Sequence, residues 1–349
     1  MTFKMERFSS EKMAQVATQC IPQVGSGLRA LHLQHYNSMT PALAEETGLV
    51  SGLQNLLNRT RLEEFHSQYY PLTDEMVETI FAMPSLHSVT LRREVADLAS
   101  LLPRVLHDQH QFRSFIINTF QFSAAAVAKI IRSLRPVCLF RFAIYFEHGI
   151  CGSDQLCDII SAIDQSCSPN HFSQLNISPI FATRHLQDMS GTPLEYKIIK
   201  PLLNFTKLKE LSLPTTTFHL SDAEMKTLAM AWPELTRLCL LDHPSDLAPK
   251  ASPITLIHLA TYCRQLIYLT ISFGEGGSDC PITDDLDLAK NHGLKVLKVG
   301  YSLVKDEKEF ATFLKTLFPE LLHLSYDPDG EDCQRWTNVH LKLFPNNYF

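Results

Sequence analysis

The chain has 349 residues, of which 45% are hydrophobic and 19% charged, a balance that argues for a folded protein and against global disorder. A formal net charge of −6 argues against a general nucleic-acid binder, and no run of about 18 apolar residues is present to span a membrane. The cysteines number nine, an odd count with no Cys-x-x-Cys pair, which fits reduced thiols in an intracellular protein, cytoplasmic or nuclear.

Residues 1–20, "MTFKMERFSSEKMAQVATQC", contain no apolar core of signal-peptide length and read as an N-terminal cap or the remnant of a longer N-terminal region. Beyond them a triplet of the form Leu-x-x-Leu-x-Leu begins to recur. Its copies are Leu28, Leu31 and Leu33; Leu62 and Phe65, with Ser67 in the sixth place; Leu86, Val89 and Leu91; Phe112, Phe115 and Ile117; Leu139, Phe142 and Ile144; and Phe172, Leu175 and Ile177. Then come Leu208, Leu211 and Leu213; Leu235, Leu238 and Leu240; Leu266, Leu269 and Ile271; Leu294, Leu297 and Val299; and Leu321, Leu324 and Tyr326. In so apolar a chain roughly a dozen such triplets would arise by chance, so the pattern alone decides nothing. The intervals decide more: they run from 24 to 36 residues and centre near 29, within the range of repeat proteins.

The segments ahead of the triplets repeat too. "TDEMVETIFAMP" at 73–84, "SDAEMKTLAMAWP" at 221–233, "SPITLIHLATYC" at 252–263 and "DEKEFATFLKTLFP" at 306–319 have helical apolar spacing. Each opens on a Ser, Thr or Asp that can cap free backbone N–H groups. Ser221 and Glu224 stand at capping-box spacing, and Ser252-Pro253 pairs a cap with a proline that needs no N–H. The unit is therefore strand, loop, helix, with successive strands parallel. On this reading residues 21–330 form an irregular solenoid of about eleven units, with insertions around 37–58 and 178–205, and 331–349 form a C-terminal cap or tail.

Charge on the strands chooses among parallel architectures. A strand buried on both faces reads as a continuous apolar run, but "LKELSL", "LTRLCL", "LEEFHS" and "LKVLKV" are interrupted by ions. Burying an unpaired ion costs several kcal/mol, so one face of the sheet should stay open. That predicts an α/β leucine-rich-repeat-like solenoid, with a curved parallel sheet on the concave face and helices on the convex face. The ninth position of each unit departs from the usual repeat: Tyr36, Glu94, Glu147, Thr216, His243, Gly274 and Asp329 stand where Asn or Cys is customary.

The outward positions, second, third and fifth in each strand, are the candidate protein-binding residues. They are Arg29, His32, Glu63, Glu64, His66, His87, Arg113, Arg141, Lys209, Glu210, Arg237, Tyr268, Lys298 and His323. Mixed charges with an aromatic suit a protein partner better than a small molecule. Trp232 is expected between repeats, and Trp336 against the last of them. No Walker, zincin or nucleophile-elbow motif occurs, so no catalytic, cofactor-binding or metal-binding residue is assigned. His107 and His110 in "HDQH" could share a helical face but fit a solvated turn better, and the glycine-rich "FGEGGSD" at 273–279 lacks the rest of a phosphate-binding fingerprint.

Three stretches, "SDAEMKTLAMAWPELTRLCL", "SPITLIHLATYCRQLIYLTIS" and "DCQRWTNVHLKLF", carry a family resemblance. Together they resemble the leucine-rich-repeat region of F-box proteins, in the divergent set found in mushroom-forming fungi. The likeness is best over 205–345. It implies a non-enzymatic scaffold that recognises the substrate of an SCF-type ubiquitin ligase, with a protein target on the concave face. A Skp1-type adaptor would be a partner only if an F-box, not evident before Leu28, were restored. Neither nucleic acid nor membrane is an expected partner. The alternatives are an orphan repeat protein unconnected to ubiquitination, and an enzyme on a closed β/α barrel or doubly wound sheet.

Overall fold

The computed structural model describes residues 2–6, 27–34, 49–67, 72–106, 111–134, 138–148, 152–179, 194–214, 219–241, 250–274, 289, 292–300, 302–327 and 332–345. Its contacts divide the chain into two compact units. The first comprises Met1–Gly149 with Gln165–His171, and the second Ile150–Asp164 with Phe172–Phe349.

In the first unit the elements run β1 (Thr2–Glu6), β2 (Ala30–Gln34), α1 (Leu49–Leu57), β3 (Glu64–Ser67), α2 (Asp74–Phe81), β4 (Ser88–Arg92), α3 (Val95–Val105), β5 (Ser114–Gln121), α4 (Ala124–Leu134) and β6 (Arg141–His148). Each strand pairs in parallel with the next in sequence. The triplets at Leu28, Leu62, Leu86, Phe112 and Leu139 lie on β2 to β6, and their fourth-place residues are register partners: Leu31 with Phe65, Phe65 with Val89, Val89 with Phe115 and Phe115 with Phe142. All five are buried. Phe115 and Phe142 stack at 6.2 Å between ring centroids.

β1 is a strand that the triplet search does not contain. Its register sets Phe3 beside Leu31 and Met5 beside Leu33, in the fourth and sixth places. The first place of such a triplet would fall ahead of Met1, so the pattern could not register it.

After α5 (Ser153–Ser166), whose residues divide between the units at Asp164, the second unit holds β7 (Gln174–Pro179), α6 (Tyr196–Ile199) running into a 3-10 turn at Lys200–Asn204, β8 (Glu210–Pro214), α7 (Asp222–Ala231), β9 (Arg237–Leu241), α8 (Ile254–Tyr262), β10 (Tyr268–Thr270), β11 (Val296–Lys298), α9 (Glu307–Leu317), β12 (His323–Ser325) and α10 (Cys333–Leu343). Its strands again pair in parallel and in sequence order. Neither unit reverses its strand order, as a doubly wound sheet does at its switch point. The fold is an open parallel sheet alternating with helices, solenoid-like α/β.

The helices form where the caps allow. Thr73 accepts the Met76 N–H at the start of α2, and Asp306 accepts those of Lys308 and Glu309 at the start of α9. The capping box ahead of α7 is complete: Ser221 Oγ accepts the Glu224 N–H, and Glu224 Oε2 accepts the Ser221 N–H at 2.8 Å. At α8 the helix begins one residue later than the Ser-Pro pair predicts, with Pro253 in the cap place. Ser252 still receives the Ile254 N–H, because its hydroxyl is already held by Asp222 of the preceding helix.

Burial on the strands alternates, as in β3, β5 and β7, where outward residues keep partial exposure and inward ones lose it. In β4 and β6 the fifth place is buried as well, by Thr90 and Ala143, and Ser212, Cys239 and Thr270 repeat this in the second unit. These are short side chains at outward positions in the sheet, and Ser212, Cys239 and Thr270 stand side by side in register. Each inward Leu or Phe contributes about 1.5–3 kcal/mol by leaving water.

Tyr36, Thr216, His243 and Asp329, ninth-place residues of other units, lie outside the described residues, while in the unit that begins at Leu86 the ninth place is held by Glu94. Its carboxylate accepts the Thr119 hydroxyl at 3.1 Å and the N–H groups of Phe120 and Gln121 at 3.3 and 3.2 Å, tying one repeat's loop to the next strand.

One buried histidine makes stability depend on pH. His292 Nε2 stands 2.9 Å from the Cys263 carbonyl and donates to it, while Nδ1 accepts the Leu294 N–H at 3.1 Å. A second proton has no acceptor at Nδ1, and burial holds the group below the usual histidine range. The folded state therefore binds fewer protons than the unfolded state as pH falls below about 6.5. The His292 contribution is complete above that value and declines toward the depressed folded-state pKa. Urea melts from pH 7.5 to 5 should show stability falling with acidity. The fall should be shallower in His292→Gln, which keeps a donor for Cys263 and cannot titrate. Equal slopes in the two proteins would assign the loss to other groups, such as His66, which is depressed by burial and by His32.

Candidate functional site

None of the fourteen outward residues singled out in the sequence is buried. Arg29, Arg113, Arg237 and His323 are exposed and the others half-buried. Arg237, Glu210 and Lys298, the ions that required an open face, all reach solvent. The fourteen residues divide between the two units, Arg29 to Arg141 on the first and Lys209 to His323 on the second.

On the first unit the second-place residues Arg29 and Glu63 form an ion pair at 2.6 Å. Above them His32, Glu64 and His66 converge. His32 on β2 and His66 on β3 are register partners, with ring centroids 4.3 Å apart, and Glu64 precedes His66 by two residues on the same strand face. Glu64 Oε2 stands 3.9 Å from His32 Nε2 and 3.8 Å from His66 Nε2. His66 Nδ1 meets the Thr90 hydroxyl at 2.9 Å. Further along, Arg92 pairs with Glu147 at 2.7 Å across the β5 strand between them. His87, Arg113 and Arg141 lie on the same face but are not drawn into these clusters.

On the second unit the third-place residues of four strands line up in register: Gln174, Glu210, Arg237 and Tyr268. Gln174 donates to Glu210 at 3.1 Å. The Arg237 guanidinium lies over the Tyr268 ring, 4.0 Å from its centroid, and Lys298 reaches the same ring from the next strand at 5.6 Å. Two cations thus flank one aromatic. Lys209, in the second place, faces Glu234 at 4.0 Å rather than this cluster, and His323 stands two strands beyond Tyr268.

Sequence reasoning passed over three residues of this face. Ile267, Leu322 and, on the first unit, Phe140 also occupy second places, and they are 51%, 70% and 42% exposed. The repeat register already gave them outward positions. A search for charged and aromatic-polar contacts does not collect isoleucine or leucine, which ordinarily mark the core.

Among the described residues every cysteine is a free thiol, and burial pushes Cys167 and Cys263 up to about 12, far from reactive thiolates. "HDQH" and most of "FGEGGSD" lie outside the described residues, as do Cys20, Cys151 and Cys280. No described helix is long and apolar enough to cross a membrane.

No family model matches the chain, and no curated protein matches it. Among solved structures it is similar to a chain in the crystal structure of the Rad7 and Elc1 complex in yeast, at 14% identity and a TM-score of 0.40, covering 89% of this chain and 86% of that one.

Proposed function

We propose that this protein is a non-enzymatic interaction scaffold that binds a protein partner on the open face of its sheet. The observation that carries the reading is the Arg237–Tyr268–Lys298 cluster on the uncovered side of β9, β10 and β11. Tyr and Arg are among the side chains that most often dominate binding energy, Tyr because it buries a large area with few rotamers to lose and Arg because its planar guanidinium makes several directed hydrogen bonds and stacks on aromatic rings. Two cations over one ring select a carboxylate-bearing protein segment, and the exposed Ile267 and Leu322 offer it an apolar margin. The finer reading, drawn from the family resemblance, makes that partner the substrate of an SCF-type ubiquitin ligase.

The test is affinity capture with three forms of the full chain: wild type, an Arg237→Ala/Tyr268→Ala pair, and a Lys308→Glu/Lys315→Glu pair on the exposed side of α9. A hot-spot side chain is worth at least about 2 kcal/mol, roughly thirtyfold in affinity. The open-face pair should therefore lose a partner that the wild type and the helix variant both hold. A partner retained equally by all three forms would remove the open face from the interaction. The ligase reading has its own readout: a Skp1-type adaptor should co-purify with the chain after fusion to an F-box and not before it.

A further inference from the structure

We propose that His32, Glu64 and His66 form a binding site for a divalent transition-metal ion of the zinc type, carried on the open face of β2 and β3. Among the described residues they are the one set of three such side chains whose ligand atoms all lie within 4.8 Å of one another.

The backbone explains the convergence. Parallel register makes His32 and His66 direct neighbours, and the two-residue period of a strand puts Glu64 on the same face as His66. Glu64 has Ala30 as its register partner, whose methyl leaves room above it for the carboxylate to lean toward His32.

The distances suit an ion. The two Glu64–histidine separations, 3.9 and 3.8 Å, are wider than hydrogen bonds. A tetrahedral zinc with bonds of 2.0–2.1 Å holds its donors about 3.4 Å apart, so each Glu64–histidine pair needs to close by only a few tenths of an ångström, and the two histidines, whose donor atoms lie within 4.8 Å, by no more than about 1.4 Å. The outer contact is in place too. In the tautomer that donates Nδ1–H to the Thr90 hydroxyl, 2.9 Å away, His66 turns its Nε2 lone pair toward Glu64 and His32. Thr90 is itself buried, so it fixes the ring.

Two imidazoles and one carboxylate neutralise half the ion's charge and suit zinc, cobalt or iron(II) rather than calcium or magnesium. The side chains are 21%, 43% and 26% exposed for His32, Glu64 and His66, which leaves an entry path and a fourth position for water. This site is on the first unit and does not depend on the protein-binding cluster of the second.

Zn²⁺ competition against a chromophoric chelator, and Co²⁺ absorption spectra, on the full chain test it. Wild type should hold one equivalent that His32→Ala and His66→Ala each weaken by at least about 100-fold and Thr90→Val by about 10–100-fold. Glu64→Gln, nearly isosteric and so safe for folding, should weaken it at least tenfold. His87→Ala and His323→Ala should leave it unchanged. The cobalt spectrum should be that of a tetrahedral nitrogen and oxygen site. Unaltered affinity in Glu64→Gln and the two histidine variants would overturn the assignment, as would a sulfur-to-cobalt charge-transfer band showing the ion on cysteine.

Discussion

Trp232→Ala should lower the unfolding free energy of the second unit by about 3–5 kcal/mol, the usual cost of emptying an aromatic site in a core. Trp232 is 1% exposed and among the largest fully buried side chains. Its indole N–H donates to the Leu202 carbonyl at 3.0 Å in the preceding repeat, while its own carbonyl lies 3.5 Å from the Cys263 thiol in the following one. One residue thus bridges three successive helical segments. In a repeat array stability resides in such nearest-neighbour contacts, so the damage should be regional. Hydrogen exchange should show lost protection first in the 3-10 turn, α7 and α8. Trp232→Phe separates the two contributions: it retains most of the apolar volume and leaves the Leu202 carbonyl unpaired, and should cost about 1–3 kcal/mol. If the alanine and phenylalanine variants melt alike, the hydrogen bond dominates. If both melt like wild type, Trp232 does not join the repeats.

The same residue shows how far the sequence could be read. "AWPELTRLCL" announces a helix end, a proline and a strand, and the proposal that Trp232 lies between repeats needs only its place in the unit. The eleven triplets lie on β2 to β12 for the same reason: inward positions demand apolar residues at fixed offsets, and a one-residue slip would expose all of them. What the offsets do not contain is where side chains reach across strands. His32 and His66 hold the fifth place of successive triplets, so the offsets make them neighbours, but that Glu64 reaches toward both of them is visible only in the side-chain positions. Glu94 illustrates a second limit. The missing asparagine at the ninth place was legible, but its replacement by a carboxylate reaching Thr119, Phe120 and Gln121 depends on loop geometry that no residue pattern specifies. Thr90, Ala143 and Ser212 mark a third: they are outward in phase and still buried, which a charge-based reading of the strands does not anticipate for short side chains.

Asp222 belongs to this group of unannounced contacts, and its removal should rank with that of Trp232. In the sequence it is the residue after a helix cap, where a negative charge favours the N-terminus by some tenths of a kcal/mol. In the fold it also reaches the next repeat, where Oδ1 accepts the Ser252 N–H at 2.8 Å and the Thr255 hydroxyl at 2.6 Å, and Oδ2 accepts the Ser252 hydroxyl at 2.7 Å. Ser252 and Thr255 are fully buried, so deleting the carboxylate strands three donors that water reaches poorly. Asp222→Ala should cost about 2–4 kcal/mol, and Asp222→Asn, which retains one acceptor oxygen, about half of that. Thr255→Val removes one of the stranded donors. Combined with Asp222→Ala it should therefore cost less than the sum of the two single changes, by about 0.5–2 kcal/mol in a double-mutant cycle. Additive losses would mean that the carboxylate acts on α7 alone, as a helix-terminal charge. Sub-additive losses would make it the joint through which the capping box of one helix sets the start of the next, and would account for α8 beginning after Pro253 while Ser252 is held in place from behind.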